Sequence, residues 1–359
     1  MLAANSFLAT VIRAPQRLAT LSDKEWDILI RQGRRANLLA RIAYLARTEN
    51  IAAAFPPAPH GHLLAADTLA NRQAQAIRHE LKKIAEALDS AGLRAVLLKG
   101  AAYLAADLPC ARGRLFADID LMVPKHQLAL AESTLMLHGW AAGHHDEYDQ
   151  RYYRRWMHEI PPLQHVTRLS IVDLHHAILP ETAHTPSPAK PLFEAAIPIP
   201  GTPFSVLNPL DMTLHSATHL FHEGEFHNGL RDLCDLDNLL RYFSTKQPDF
   251  FQRLVDRAGE LNLATPLRHA LRYTKQVFDT PVPDAFCPER SALVDALFAR
   301  ALAPDHVSCQ DRWAPLSLGL LYLRGHWLRM PPWLLLRHLF HKAFITPKDP
   351  ASSSRGKVY

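Results

Sequence analysis

Two aspartates one residue apart, Asp118 and Asp120, stand in the run Phe116-Ala-Asp-Ile-Asp-Leu-Met-Val123. Its alternation predicts a strand, and residues i and i+2 of a strand project from one face, so both carboxylates point together. Like charges held that close repel unless a proton or a cation lies between them. The apolar neighbours Phe116, Ile119, Leu121, Met122 and Val123 predict burial, which raises the cost. A third acid, Asp173, lies in a second strand-like run, Ser170-Ile-Val-Asp-Leu-His-His176. If the two strands are neighbours, three oxygen donors converge, and a hard divalent ion (Mg²⁺, or Mn²⁺ in its place) is the natural counter-charge. That arrangement suits two-ion transfer chemistry, in which one ion activates an acceptor hydroxyl and the other holds a triphosphate. The bland alternative is a solvated Asp-x-Asp turn, with Asp173 paired to an arginine or to a histidine such as His175.

A phosphate-binding side is available nearby. The apolar run Arg94-Ala-Val-Leu-Leu98 predicts a strand that ends in Lys99-Gly100, and Ala101 to Ala106 is helix-prone. A strand that turns through glycine into a helix presents free backbone N–H groups and a positive dipole end to an anion. Gly100 permits close backbone approach. Lys99 and Arg114 supply positive charge, the arginine as a planar fork. Taken alone, a Lys-Gly pair is equally an ordinary turn with a solvated lysine.

Histidines offer a second kind of ligand. His215, His219 and His222 fall at zinc-like helical spacing, but Leu214, Ala217, Leu220 and Phe221 around them and the lack of a His-Glu-x-x-His motif favour packed or pocket-lining roles. His144-His145-Asp146-Glu147 reads as a polar loop, and His175-His176 as support for ligands rather than as ligands.

The elements that must position these residues can be read from the same pattern. Residues 1–60 form an N-terminal helical region, with a cap at Ser22 or Asp23, and Phe55 to Gly61 as a break. A long helix from about Leu63 carries Ile77, Leu81, Ile84 and Leu88 on one face and stops at Gly92. His126 to His138 reads as a helix, and Leu163 to Val166 with Leu169 to Leu174 as a hairpin. Residues 61–179 therefore form the sheet-bearing core. Residues 180–209 are a proline-rich linker or an ordered wrap, 210–345 a C-terminal helical domain, and 346–359 a flexible tail. The fold class is α+β: a small mixed sheet flanked by N-terminal and C-terminal helical regions.

Leu98-Lys-Gly-Ala101, then Arg114-Leu-Phe-Ala-Asp-Ile-Asp-Leu-Met-Val123, then Val172-Asp-Leu-His175 resembles the uncharacterised nucleotidyltransferase family of the DNA-polymerase-beta superfamily. The helical stretch from Leu214 to Leu236 is similar to that family's C-terminal part. The resemblance implies a minimal nucleotidyltransferase sheet with Asp118 and Asp120 as metal ligands and Asp173 as the third acid. Lys99, Gly100, Ala101 and Arg114 would steady the nucleotide, and an NTP and an unidentified hydroxyl acceptor would be the substrates. Gly100-Ala101 departs from the superfamily's usual Gly-Ser or Gly-Gly, which leaves room for a non-catalytic nucleotide- or partner-binding module on the same fold.

Composition bounds the rest. A chain of 359 residues, 48% hydrophobic and 21% charged, is globular and large enough for two or three packed units. The net charge of +5 is local: Arg312, Arg324, Arg329, Arg337, Lys342 and Lys348 occur in a stretch without an acid. A general nucleic-acid-coating protein is not indicated. With its tryptophans and leucines, 312–342 could face an anionic membrane, a protein partner or an RNA backbone, or serve as core with the arginines reaching solvent. Four cysteines without Cys-x-x-Cys pairing, no basic segment ahead of the first apolar residues and no apolar run of spanning length predict a cytoplasmic protein, with the inner-membrane surface as an alternative site.

Overall fold

The computed structural model describes residues 6–143, 153–154, 156–287, 291–333 and 335–336. Three helices open the chain: α1 (Phe7–Arg13), α2 (Asp23–Arg35) and α3 (Leu39–Thr48). Glu25 fixes the start of α2, accepting hydrogen bonds from the Ser22 N–H at 2.8 Å and from its hydroxyl at 2.7 Å. The long helix α4 spans Pro57–Ser90. It starts inside the expected break because proline at the first turn gives up no hydrogen bond, so residue 60 is not a boundary. It ends at Gly92, whose φ of 65° lets Leu93 N–H reach Leu88 O at 2.9 Å and Gly92 N–H reach Asp89 O at 3.1 Å.

That reversal feeds the chain into the sheet. The strands are β1 (Ala95–Leu97), β2 (Ile119–Met122), β3 (Trp140–Ala142), β4 (Leu163–His165), β5 (Ile171–His175), β6 (Ile197–Pro198) and β7 (Phe204–Val206). They form one mixed seven-stranded sheet in the order β3-β4-β5-β2-β1-β7-β6. Helix α5 (Lys99–Ala105) follows β1 and α6 (Leu128–Leu137) follows β2. One face of the central strands is dry: Ile119, Leu121, Val172 and Leu174 are at most 1% exposed and share a cluster with Ile84 and Leu88 of α4 and Ala131 and Leu135 of α6. The alternate residues project from the other face.

Residues 180–209 do more than link. They contain α7 (Lys190–Glu194) and the β6–β7 pair, and β7 runs parallel to β1 with Leu97 opposite Val206. The prolines mask this in the sequence. They are compatible with it because Pro198 lies in the outermost strand, where no ladder donor is needed.

The remaining helices are α8 (Pro209–His222), α9 (Gly229–Lys246), α10 (Phe250–Glu260), α11 (Ala264–Phe278), α12 (Ala292–Ala301) and α13 (Ala314–Arg329). A second hydrophobic cluster joins Leu8, Trp26, Leu29 and Ile42 of the N-terminal helices to Phe221, Leu236, Tyr273 and Phe298 of the C-terminal ones. The two helical regions thus share a core. Helix α13 turns Leu316, Leu320, Leu323 and Trp327 to solvent, although such positions more often bury. Among the described residues, no helix is long and apolar enough to cross a membrane. The expected tail, 346–359, lies outside the described residues, as does the His144–Glu147 loop.

The loop between α5 and β2 is fastened to α3. Buried Arg41 donates to Pro109 O at 2.9 Å and Cys110 O at 2.6 Å. Gly113, at φ 63°, passes so close that a Cβ there would meet Ala40 O at 2.5 Å. Gly113→Ala should therefore destabilise the fold by about 2 kcal/mol, read as a lower urea midpoint at unchanged slope. An unchanged midpoint would show that the loop is not held this way.

Candidate active site

β2 and β5 are parallel neighbours, and their register sets Asp120 directly opposite Asp173. Adjacent strands lie about 4.8 Å apart and paired residues project from the same face, so the two carboxylates are side by side. Asp118, two residues before Asp120, lies close enough to act on both. Burial and then the Asp120 charge push the Asp118 carboxyl above its ordinary range. Burial, then Asp120 and Asp118, push Asp173 up to about 8. Asp120 stays ionised: burial opposes its charge, but Lys99 and His175 outweigh it and hold the group well below the usual carboxylate range.

Two basic side chains support Asp120. Lys99 Nζ donates to its Oδ1 at 2.8 Å, and His175 Nε2 lies 3.2 Å from the same oxygen. Lys99 reaches it from an unusual backbone. Its φ is 44°, in the left-handed region that costs a non-glycine residue roughly 1 kcal/mol, at the point where β1 turns into α5. Burial works against the Lys99 ammonium, but Asp120 and then Glu223 raise its pKa.

Arg114 is placed differently. Its Nε donates to Asp235 Oδ2 of α9 at 2.8 Å in a buried pair, and its guanidinium lies 5.8 Å from the Tyr103 ring and 5.4 Å from the Phe116 ring. Gly100 is small for this reason: a Cβ there would lie 2.5 Å from Arg114 Nη1. Ala101 is buried in α5 behind it. The structure thus brings Asp118, Asp120, Asp173 and Lys99 together and sets Arg114 against Gly100, one layer toward α9.

The C-terminal helices close the site with the histidines noted for their helical spacing and with charged groups that carry no sequence signature. His215 of α8 is buried, and its pKa is lowered to about 3 by that burial and then by Lys99. His219 Nδ1 lies 2.8 Å from Glu223 Oε2, and Arg231 Nη2 pairs with Asp232 at 2.7 Å on α9. His222 is buried with its pKa lowered to about 4, by burial first and then by Arg324 and Arg329. Glu159, also unanticipated, sits opposite His175 in an antiparallel bridge just ahead of β4. Its only prior signal is an acid within a short buried segment, His158-Glu-Ile160.

The three aspartates offer only oxygen donors, the kind a hard divalent ion takes. Asp120 and Asp173 share a face of the sheet, Asp118 adjoins them just outside β2, and Asp173 Oδ1 is buried without a hydrogen-bond partner. Burial and mutual repulsion raise the pKa values of Asp118 and Asp173, the crowding a cation would relieve.

The sequence matches the model of the uncharacterised nucleotidyltransferase family over residues 22–279. The chain belongs to this family. No curated protein and no solved structure matches it. Membership brings transfer of a nucleoside monophosphate as the general class of activity, and the match takes in the sheet, the acidic face and α8 to α11, which enclose it.

The raised Asp173 pKa sets a pH dependence. Native Asp173 keeps a proton that the unfolded chain, at the ordinary 3.8, has released, so the metal-free protein loses this group's stability as pH rises from about 4 through about 8. In EDTA near pH 9, Asp173→Asn should melt at a higher temperature than the wild type, and the gap should close near pH 4. A gap that is constant with pH, or reversed, would contradict the placement of Asp173 among like charges.

Proposed function

We propose that the protein transfers a nucleoside monophosphate from an NTP to a hydroxyl group of an acceptor, with Asp118, Asp120 and Asp173 as the acidic centre. The observation that carries this reading is the Asp120–Asp173 register, with an unpartnered Asp173 oxygen beside it and Asp118 two residues before Asp120. Mg²⁺ or Mn²⁺ bound by the three carboxylates would supply Lewis acidity for the acceptor oxygen and neutralise the triphosphate.

The chain's own groups have separate tasks. Asp173, set beside Asp120 and deprotonated once a dication is bound, would take the proton that the acceptor hydroxyl loses as its oxygen bonds to the α-phosphorus and pyrophosphate departs. Lys99 keeps Asp120 ionised and lies beside the position of the triphosphate, against the turn made by Lys99, Gly100 and Ala101. Arg114, held by Asp235, adds positive potential behind Gly100. The buried His215 is uncharged at neutral pH, so it lines the site without competing for the phosphates.

A second reading, a module that binds a nucleotide or partner without turnover, is favoured by one observation: the Arg114 fork is already engaged by Asp235. The exposed face of α13, with Leu316, Leu320, Leu323 and Trp327, would in either case meet a membrane surface or a protein partner.

Asp120→Asn should retain the fold and lower divalent-ion-dependent release of pyrophosphate by ~100-fold or more, about 3 kcal/mol of transition-state stabilisation. The assay is pyrophosphate release together with transfer of label from an α-labelled NTP across a panel of hydroxylated acceptors. Turnover at the wild-type rate in the variant would remove the metal role. Nucleotide binding by the wild type without any release would favour the binding module.

A further inference from the structure

Beside the three aspartates lies a cluster of different chemistry. One ring nitrogen each of His158 and His175 and a carboxylate oxygen of Glu159 all lie within 4.8 Å of one another. Their placement is a backbone matter. Residues 158–160 run antiparallel to the end of β5, with His176 N–H donating to His158 O at 2.8 Å and Ile160 N–H to Leu174 O at 3.0 Å. Glu159 and His175 face each other across this ladder, and the His158 and His175 rings stand 5.5 Å apart.

The hydrogen bonding of these groups is incomplete. His158 and His175 are 4% and 2% exposed, yet Nδ1 of each is buried without a hydrogen-bond partner. His175 Nδ1 lies 3.4 Å from Glu159 Oε2, but the alignment a hydrogen bond needs is absent. That separation has another meaning. Two ligands at 2.0–2.1 Å from a tetrahedral ion are about 3.3 Å apart, with both lone pairs aimed at the ion rather than at each other.

We propose that His158, Glu159 and His175 bind a zinc-class transition-metal ion, separate from the all-oxygen aspartate site. Two imidazoles and one carboxylate form a nitrogen-rich set suited to Zn²⁺, whereas the three aspartates suit Mg²⁺. The two sites touch through one ring. With Nδ1 on the ion, His175 carries its proton on Nε2, 3.2 Å from Asp120 Oδ1, so the ion fixes the tautomer and the angle of the group that supports Asp120. The ion is thus a positioning device for Asp120. Its binding stands apart from the transfer reading, and only the consequence for Asp120 rests on it.

The test is a titration of the full, EDTA-treated chain with Co²⁺ alone, in excess Mg²⁺ so that the aspartates are occupied. One equivalent should give the intense visible bands of a low-coordinate, nitrogen-bearing site, and Zn²⁺ should abolish them. His158→Gln and Glu159→Gln should each weaken Zn²⁺ binding by ~100-fold, while Asp118→Asn leaves it unchanged. Absence of the bands in the wild type would overturn the proposal without recourse to any variant. So would their loss in Asp118→Asn with retention in His158→Gln, which would put the ion among the aspartates. Intact bands in a chain that transfers no nucleotide to any acceptor would uphold this site while the transfer reading fails.

Discussion

Repulsion among carboxylates is the constraint on which this structure turns. Parallel pairing of β2 with β5 sets Asp120 against Asp173, and Asp118 adds to the same crowd. Nothing in the dry half of the sheet relieves it, since Ile119, Leu121, Val172 and Leu174 offer only hydrocarbon. Lys99 and His175 relieve it at Asp120, while burial and the neighbouring charges push Asp118 and Asp173 above the ordinary carboxylate range. A face built in this way is stabilised by any hard cation that replaces the protons, and metal affinity there is linked to pH.

Much of the remaining fold serves to hold that crowd in place. The left-handed backbone at Lys99 is tolerated because it delivers an ammonium to Asp120, and backbone strain of this kind collects where geometry is over-determined. Arg41 and Gly113 bind the α5–β2 loop to the N-terminal helices, and the Arg114–Asp235 pair binds the same loop to α9. A buried ion pair of this type contributes more to position than to net stability. The two helical regions, which flank the sheet in sequence, therefore meet at the loop that leads into the acidic strand.

Part of this was legible in the sequence, and the reasons are specific. β1, β2 and the β4–β5 hairpin show because each is a short apolar run bounded by glycine, proline or a polar turn, and pairing of a hairpin is local. The end of α4 shows because only glycine takes the left-handed turn cheaply. The Asp120–Asp173 register does not show, since parallel partners are joined through a distant crossover and no local pattern records which residue faces which. β7 is hidden among prolines. The Arg114–Asp235 pair joins charges 121 positions apart, and neither residue alone points to the other: Arg114 reads as a phosphate-side cation. Glu159 escapes because its ladder with β5 is too short for any periodicity.

The central claim is that the three carboxylates share a divalent ion, and crystals of the full chain grown with Mn²⁺ and a non-hydrolysable NTP analogue test it most directly. Anomalous scattering should place manganese within coordination distance of Asp118, Asp120 and Asp173, with the triphosphate on the Lys99 side. Ordered nucleotide with no anomalous peak between the carboxylates, or with Asp173 turned away from Asp120, would contradict the account.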